Sequence, residues 1–102
     1  MQEWTREQWE EKRINGEKVA FYLYTPMCGT CQVASRMMDV TEQVVKNVPI
    51  GKANLNYMEQ LAFDYEIESV PCLLIADHGE IVEKVYAFQS VPNLFEKLDR
   101  KY

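Results

Sequence analysis

Thr25-Pro26-Met27-Cys28-Gly29-Thr30-Cys31 follows an apolar run, Val19-Ala20-Phe21-Tyr22-Leu23-Tyr24, and precedes a long stretch of helical periodicity. Two cysteines separated by two residues serve as a reversible dithiol/disulfide, as half of a metal site, or as unrelated core thiols. The flanking segments decide among these. A strand that gives way to a helix here puts Cys28 at a helix N-terminus, where free N–H groups and partial positive charge favour a thiolate over a thiol. That stabilisation reaches about 2 kcal/mol in favourable settings, and it turns a sluggish thiol into a competent nucleophile near neutral pH. The stretch reads as a redox site.

Working outward, Lys18 to Tyr24 is nearly continuous in apolar residues. That is the pattern of a strand covered on both faces, so it should be central in its sheet. Before it, Thr5-Arg6-Glu7-Gln8 has the form of a capping box. It predicts a helix over 6–14, with Trp9 and Ile14 as its apolar stripe against the domain and Asn15-Gly16 as its end. After Cys31, apolar positions fall at Ala34, Met37, Met38, Thr41, Val45 and Val48, a helical spacing throughout. This helix should run from Cys28 to about Lys46, with Pro49 forcing its end.

Further on, 50–55 reads as a short strand, and 57–65 as a short helix with Leu61, Ala62 and Tyr65 on one side. Cys72-Leu73-Leu74-Ile75-Ala76 is a second fully apolar strand. Asp77-His78-Gly79-Glu80 supplies hairpin chemistry, and 81–86 returns antiparallel. Ser90 caps a last helix with Pro92 in its first turn and Leu94, Phe95 and Leu98 facing inward. The order is α, then β-α-β, then α-β-β-α. A right-handed crossover makes the first two strands parallel and the hairpin adds two more. A four-stranded mixed sheet with helices on both faces follows.

The chain of 102 residues is sized for one domain with one core. Its net charge of −5, with no Lys/Arg cluster, argues against nucleic acid or anionic membranes as partners. No apolar run approaches the roughly 20 residues that a bilayer demands. Met1 to Glu7 lacks the basic start and apolar core of a secretory signal. Three cysteines, two of them too close to staple a domain, fit a reducing cytosol and a reactive pair. A cytoplasmic monomer is expected.

These elements resemble the thioredoxin fold: a four-stranded mixed α/β sheet flanked by helices, here with an extra N-terminal helix. Cys28-Gly29-Thr30-Cys31 matches the family's CxxC, between the first core strand and the helix. Tyr65 to Leu74, with Val70-Pro71 at the head of an apolar strand, resembles the segment that carries the family's cis-proline. Lys52-Ala53-Asn54-Leu55-Asn56 resembles the strand that places a buried lysine below the site. The resemblance implies a thiol–disulfide oxidoreductase with Cys28 as nucleophile, Cys31 as resolving thiol and Pro71 facing the pair. It makes Met27, Gly29, Thr30 and Val70 the substrate contacts. Partners implied are disulfide-containing proteins or small disulfides, with a flavin-dependent thioredoxin reductase or a low-molecular-weight thiol as electron donor. No cofactor is expected.

Departures from the family pattern are equally informative. Met27 stands where the family usually has Trp, replacing a flat platform with a flexible thioether. Thr30 stands for the proline inside the motif, restoring an N–H and adding a hydroxyl near sulfur. Arg36 stands for the proline that kinks the helix, so a straighter helix is expected. Tyr86 falls about where the family has a Gly that admits partners closely. Tyr22 stands where the family carries a buried Asp beneath the second cysteine, and a phenol with an ordinary pKa near 10 is a poor base at pH 7. Lys52 then lacks its usual partner and should snorkel toward solvent. Cys72 reads as a small core residue ahead of a third redox thiol.

Two other classes compete. A thioredoxin-fold adaptor with weak turnover is consistent with the missing Trp and Asp. A Cys₃His metal site from Cys28, Cys31, Cys72 and His78 is disfavoured by spacing: six residues of strand span about 20 Å, too far for one ion.

Overall fold

A computed structural model describes residues 1–102 and orders them as follows. Strand β1 (Gln2–Glu3) and helix α1 (Arg6–Ile14) lead into β2 (Val19–Tyr24) and the long helix α2 (Gly29–Val44). Then come β3 (Ile50–Asn54), a 3₁₀ turn (Leu55–Tyr57) and α3 (Glu59–Asp64). Strands β4 (Cys72–Asp77) and β5 (Glu80–Val85) and helix α4 (Val91–Asp99) complete the chain. The sheet order is β1-β3-β2-β4-β5, parallel on the β1/β3/β2 side and antiparallel from β2 to β5.

Five strands replace the expected four, because Gln2 and Glu3 pair with Gly51 and Lys52. Two polar residues carry no apolar alternation, and tertiary contact fixes them in place. The Trp4 N–H donates to the Lys52 carbonyl at 3.0 Å, and the buried Trp4 indole lies on the flat backbone of Gly51. A Cβ at Gly51 would fall inside that indole. Gly51→Ala is therefore expected to destabilise the fold by about 3 kcal/mol through expulsion of Trp4. Urea unfolding monitored by Trp fluorescence reads this directly, and an unshifted midpoint would contradict it.

Two apolar layers sandwich the sheet. On one face, α2 and α4 bury Ala34, Met38, Leu94 and Leu98, joined by Val45 just past the end of α2, against Ala20, Tyr22, Leu73 and Ile75. On the other, Trp9 and Leu61 cover Phe21, Leu23, Cys72 and Leu74. Because both faces of β2 and β4 are covered, all but their last residue are buried, which is why their sequences are continuously apolar. Helix α1 starts on its capping box: the Gln8 N–H donates to Thr5 Oγ1 and the Thr5 N–H to Gln8 Oε1.

Only Trp9 of α1 is buried, stacked on Phe21 with ring centroids 5.0 Å apart. Ile14, expected on the same stripe, is 70% exposed, because α1 meets the domain through a single large ring. Phe95 is likewise exposed while Leu94 and Leu98 carry the contact of α4. The short helix expected over 57–65 is present as α3, preceded by a separate 3₁₀ turn that starts where Asn54 Oδ1 accepts the Asn56 N–H. No helix is long and apolar enough to cross a membrane.

Candidate active site

The C-terminal end of β2 delivers the chain through Thr25, Pro26 and Met27 to the first turn of α2. There Cys28 is the N-cap residue, with extended backbone, and its sulfur takes the place of a capping oxygen. The Cys31 N–H donates to Cys28 Sγ at 3.1 Å. Thr30 Oγ1 lies 3.3 Å from the same sulfur. An anionic sulfur is thus met by donors from its own helix end, the arrangement that favours thiolate. Hydrogen bonds from the Cys31 thiol first, and the Thr30 hydroxyl second, hold Cys28 below the ordinary thiol value.

Cys31 is the opposite case. It is buried one turn behind Cys28, and burial, reinforced by the hydrogen bond to Cys28, pushes its thiol up to about 11. All three cysteines are free thiols. Cys72 is fully buried on β4, where burial pushes it up to about 12 and Tyr86 offsets only part of that.

The Val70–Pro71 peptide bond is cis. The Val70 carbonyl lies 3.9 Å from Cys28 Sγ. A groove of about 400 Å³ runs from this bond along α2, lined by Thr30, Val33, Met37, Pro71, Tyr86 and Phe88. Met27, next to Cys28 in the chain, is 95% exposed. Gly29 opens α2 with free space around its Cα. Tyr86 walls the groove, and its hydroxyl accepts the Glu68 N–H at 3.1 Å, tying the stretch just after β5 to the segment that leads into Pro71.

Beneath the pair stands Tyr22, fully buried on β2. Its hydroxyl donates to the Cys31 carbonyl at 2.8 Å and accepts from Ser35 Oγ at 3.0 Å. Burial pushes this phenol up to about 12. Lys52 is half-buried on β3 with Nζ 5.8 Å from the Tyr24 ring centroid, so an aromatic face takes the part of a charged partner. His78 occupies the β4–β5 turn, at the opposite end of β4 from Cys72. No cluster of three or more His, Cys, Asp or Glu side chains is arranged to hold a metal ion.

Ser35 escapes a reading of the sequence. A serine inside a helix ordinarily points to water, and its partner Tyr22 lies on another element. Its single signal is position: one helical turn after Cys31 it shares that residue's side of α2.

Thr30→Val keeps shape and removes the hydroxyl, so the thiolate form of Cys28 loses a donor. The alkylation rate of Cys28 at pH 7 should fall severalfold and its midpoint should move to higher pH. An unaltered rate–pH curve would show that the hydroxyl does not act on the sulfur.

A mixed sheet carrying a CxxC pair at a helix N-cap, across from a cis-proline, defines a thioredoxin-type dithiol protein. The Thioredoxin family model matches residues 1–100. Thioredoxin-like protein YusE of Bacillus subtilis (strain 168) is 44% identical over 92 residues, 90% of this chain and 87% of the relative. A thioredoxin of Staphylococcus epidermidis is 30% identical over 97 residues, 94% of this chain and 92% of that one. The crystal structure of Trxlp from Edwardsiella tarda EIB202 superposes with a TM-score of 0.85 over 97% of this chain and 98% of its own; at 15% identity it attests the fold alone. The chain belongs to the thioredoxin family.

Proposed function

We propose that this protein, acting as one domain, is a thiol–disulfide oxidoreductase working through a Cys28/Cys31 dithiol. The observation that carries the reading is the polarity of the pair. Cys28 is held toward thiolate by the Cys31 N–H and Thr30, while Cys31 is buried and held as thiol. The Cys28 thiolate attacks one sulfur of a substrate disulfide, and the other sulfur leaves with the bonding electrons. Cys31 then loses its proton and attacks Cys28 Sγ, closing the internal disulfide and expelling the second substrate thiolate. A thiol one turn away acts intramolecularly, which gives this step its advantage over release by external thiols.

Pro71 and the Val70 backbone face the incoming chain, and Met27, Gly29 and Thr30 form the lip that an extended substrate crosses. Lys52 and Cys72 take no part in the transfer: one stacks on Tyr24 and the other packs the core. Substrates are disulfide-containing proteins or small disulfides. Electrons come from a flavin-dependent reductase or a low-molecular-weight thiol, in a cytosolic setting, to a monomer.

One observation favours a second reading. Tyr22 places a phenol beneath Cys31 instead of a carboxylate, so resolution is slow, and the fold then serves chiefly as a binding module. Reduction of insulin disulfides with dithiothreitol, or with NADPH and a flavin-linked reductase, separates the two. Many turnovers per protein support the oxidoreductase, and a single stoichiometric burst supports the module.

A further inference from the structure

Three groups meet beneath the resolving cysteine in a closed arrangement. Tyr22 reaches up from β2 and donates to the Cys31 carbonyl, 2.8 Å away. Ser35 reaches down from α2 and donates to the Tyr22 oxygen, 3.0 Å away. In a regular helix the Cys31 carbonyl also receives the Ser35 N–H. Cys31 and Ser35 are thus joined twice, once along the helix and once through Tyr22.

The Tyr22 ring is itself fixed, stacked on Tyr24 at 5.9 Å and met edge-on by Phe88 at 5.7 Å. With its hydrogen donated and a lone pair engaged, the buried phenol is committed to holding. Ser35 lies between this buried bond and the outside: with Cys31, Gln32 and Arg36 it walls a surface cleft of about 350 Å³.

We propose that Ser35 is a positioning residue for the resolving step, acting through Tyr22 as an uncharged clamp that keeps the first turn of α2, and with it Cys31, aimed at Cys28. The clamp takes no part in the bonds that form and break. It fixes the Cys31 backbone while the Cys31 thiolate attacks Cys28 Sγ, the Cys28–substrate S–S bond breaks, and the substrate sulfur leaves with the electron pair. The Cys31 proton passes to water in the cleft that Ser35 borders. This inference rests on the oxidoreductase reading and adds to it a residue outside the CxxC motif.

The test reacts the full chain with an aromatic disulfide that releases one coloured thiolate when Cys28 attacks and a second when Cys31 resolves. Both rates come from a single stopped-flow trace. Ser35→Ala and Tyr22→Phe should each slow the second release about tenfold, with the first release unchanged within about twofold. The double variant should be no slower than the worse single variant by more than about twofold, because the two groups act as a unit. Ser35→Thr, which keeps the hydroxyl, should restore most of the second rate.

A Ser35→Ala protein with a wild-type second release overturns the clamp, as do additive losses, or equal slowing of both releases. Should Tyr22→Phe fail to fold, the contrast between Ser35→Ala and Ser35→Thr decides alone. An unaltered chain that gives no first release overturns the oxidoreductase reading and the clamp with it. A normal first release with Ser35-independent resolution overturns the clamp only.

Discussion

Resolution of the mixed disulfide should accelerate about tenfold per pH unit from pH 6 to about 8 and level off only above that, while the first attack flattens at lower pH. The sign follows from which thiol each step uses. A thiol is a nucleophile only as thiolate. Burial first, and Cys28 second, raise the Cys31 thiol to about 11, so at pH 7 about one molecule in 10⁴ carries it ionised. Every unit of added pH multiplies that fraction by about ten until the pKa is reached.

In the mixed disulfide the Cys28 sulfur is uncharged, so its share of the rise disappears and burial remains. The plateau therefore lies between the ordinary thiol value, about 8.5, and about 11. Tyr22 does not shortcut this: at about 12 it is protonated throughout the range. Cys28 is shifted the opposite way, so its attack saturates first. Rapid-quench kinetics with an acid or alkylating trap separates the steps. A second step flat from pH 6 to 9 would mean that an internal base serves Cys31.

Cys28→Ser should remove disulfide reduction altogether, at least about 10³-fold. A serine hydroxyl stays protonated where the Cys31 N–H and Thr30 stabilise a thiolate, and alkoxide attack on sulfur has no counterpart to the low-pKa route. Neither remaining thiol replaces it. Cys31 is buried behind the vacated position, and Cys72 is enclosed in the core and pushed up to about 12. Cys31→Ser should behave differently, reacting once through Cys28 and then stalling as a stable mixed disulfide. Mass spectrometry of the two proteins after exposure to a peptide disulfide checks both outcomes. A Cys28→Ser protein that still turns over would remove the assigned nucleophile.

The sequence made some of this legible for physical reasons. Strands β2 and β4 are covered on both faces, so burial was written as unbroken apolar runs. The long helix α2 buries Cys31, Ala34, Met38 and Thr41 at helical spacing, which is a periodic signal. Capping at Thr5 and Ser90 is local chemistry, readable within four residues.

What escaped reading depends on residues distant in the chain. Strand β1 exists because Gly51 admits Trp4, a fact stored some 50 residues away. Ile14 and Phe95 lie on faces that periodicity proposes but no neighbour covers. The replacement for a buried Asp was visible as Tyr22, yet the Ser35 and Cys31 partners that give it a role appear only when β2 and α2 are packed together.

The most direct measurement is equilibration of the protein against a graded glutathione redox series, followed by acid quench, alkylation and mass spectrometry. The account predicts one sharp two-electron transition in which the chain loses the mass of two hydrogens, with Cys28 and Cys31 protected from alkylation together and Cys72 outside the pair. A chain in which Cys28 and Cys31 stay alkylatable across the whole series, or become protected independently of each other, would contradict it.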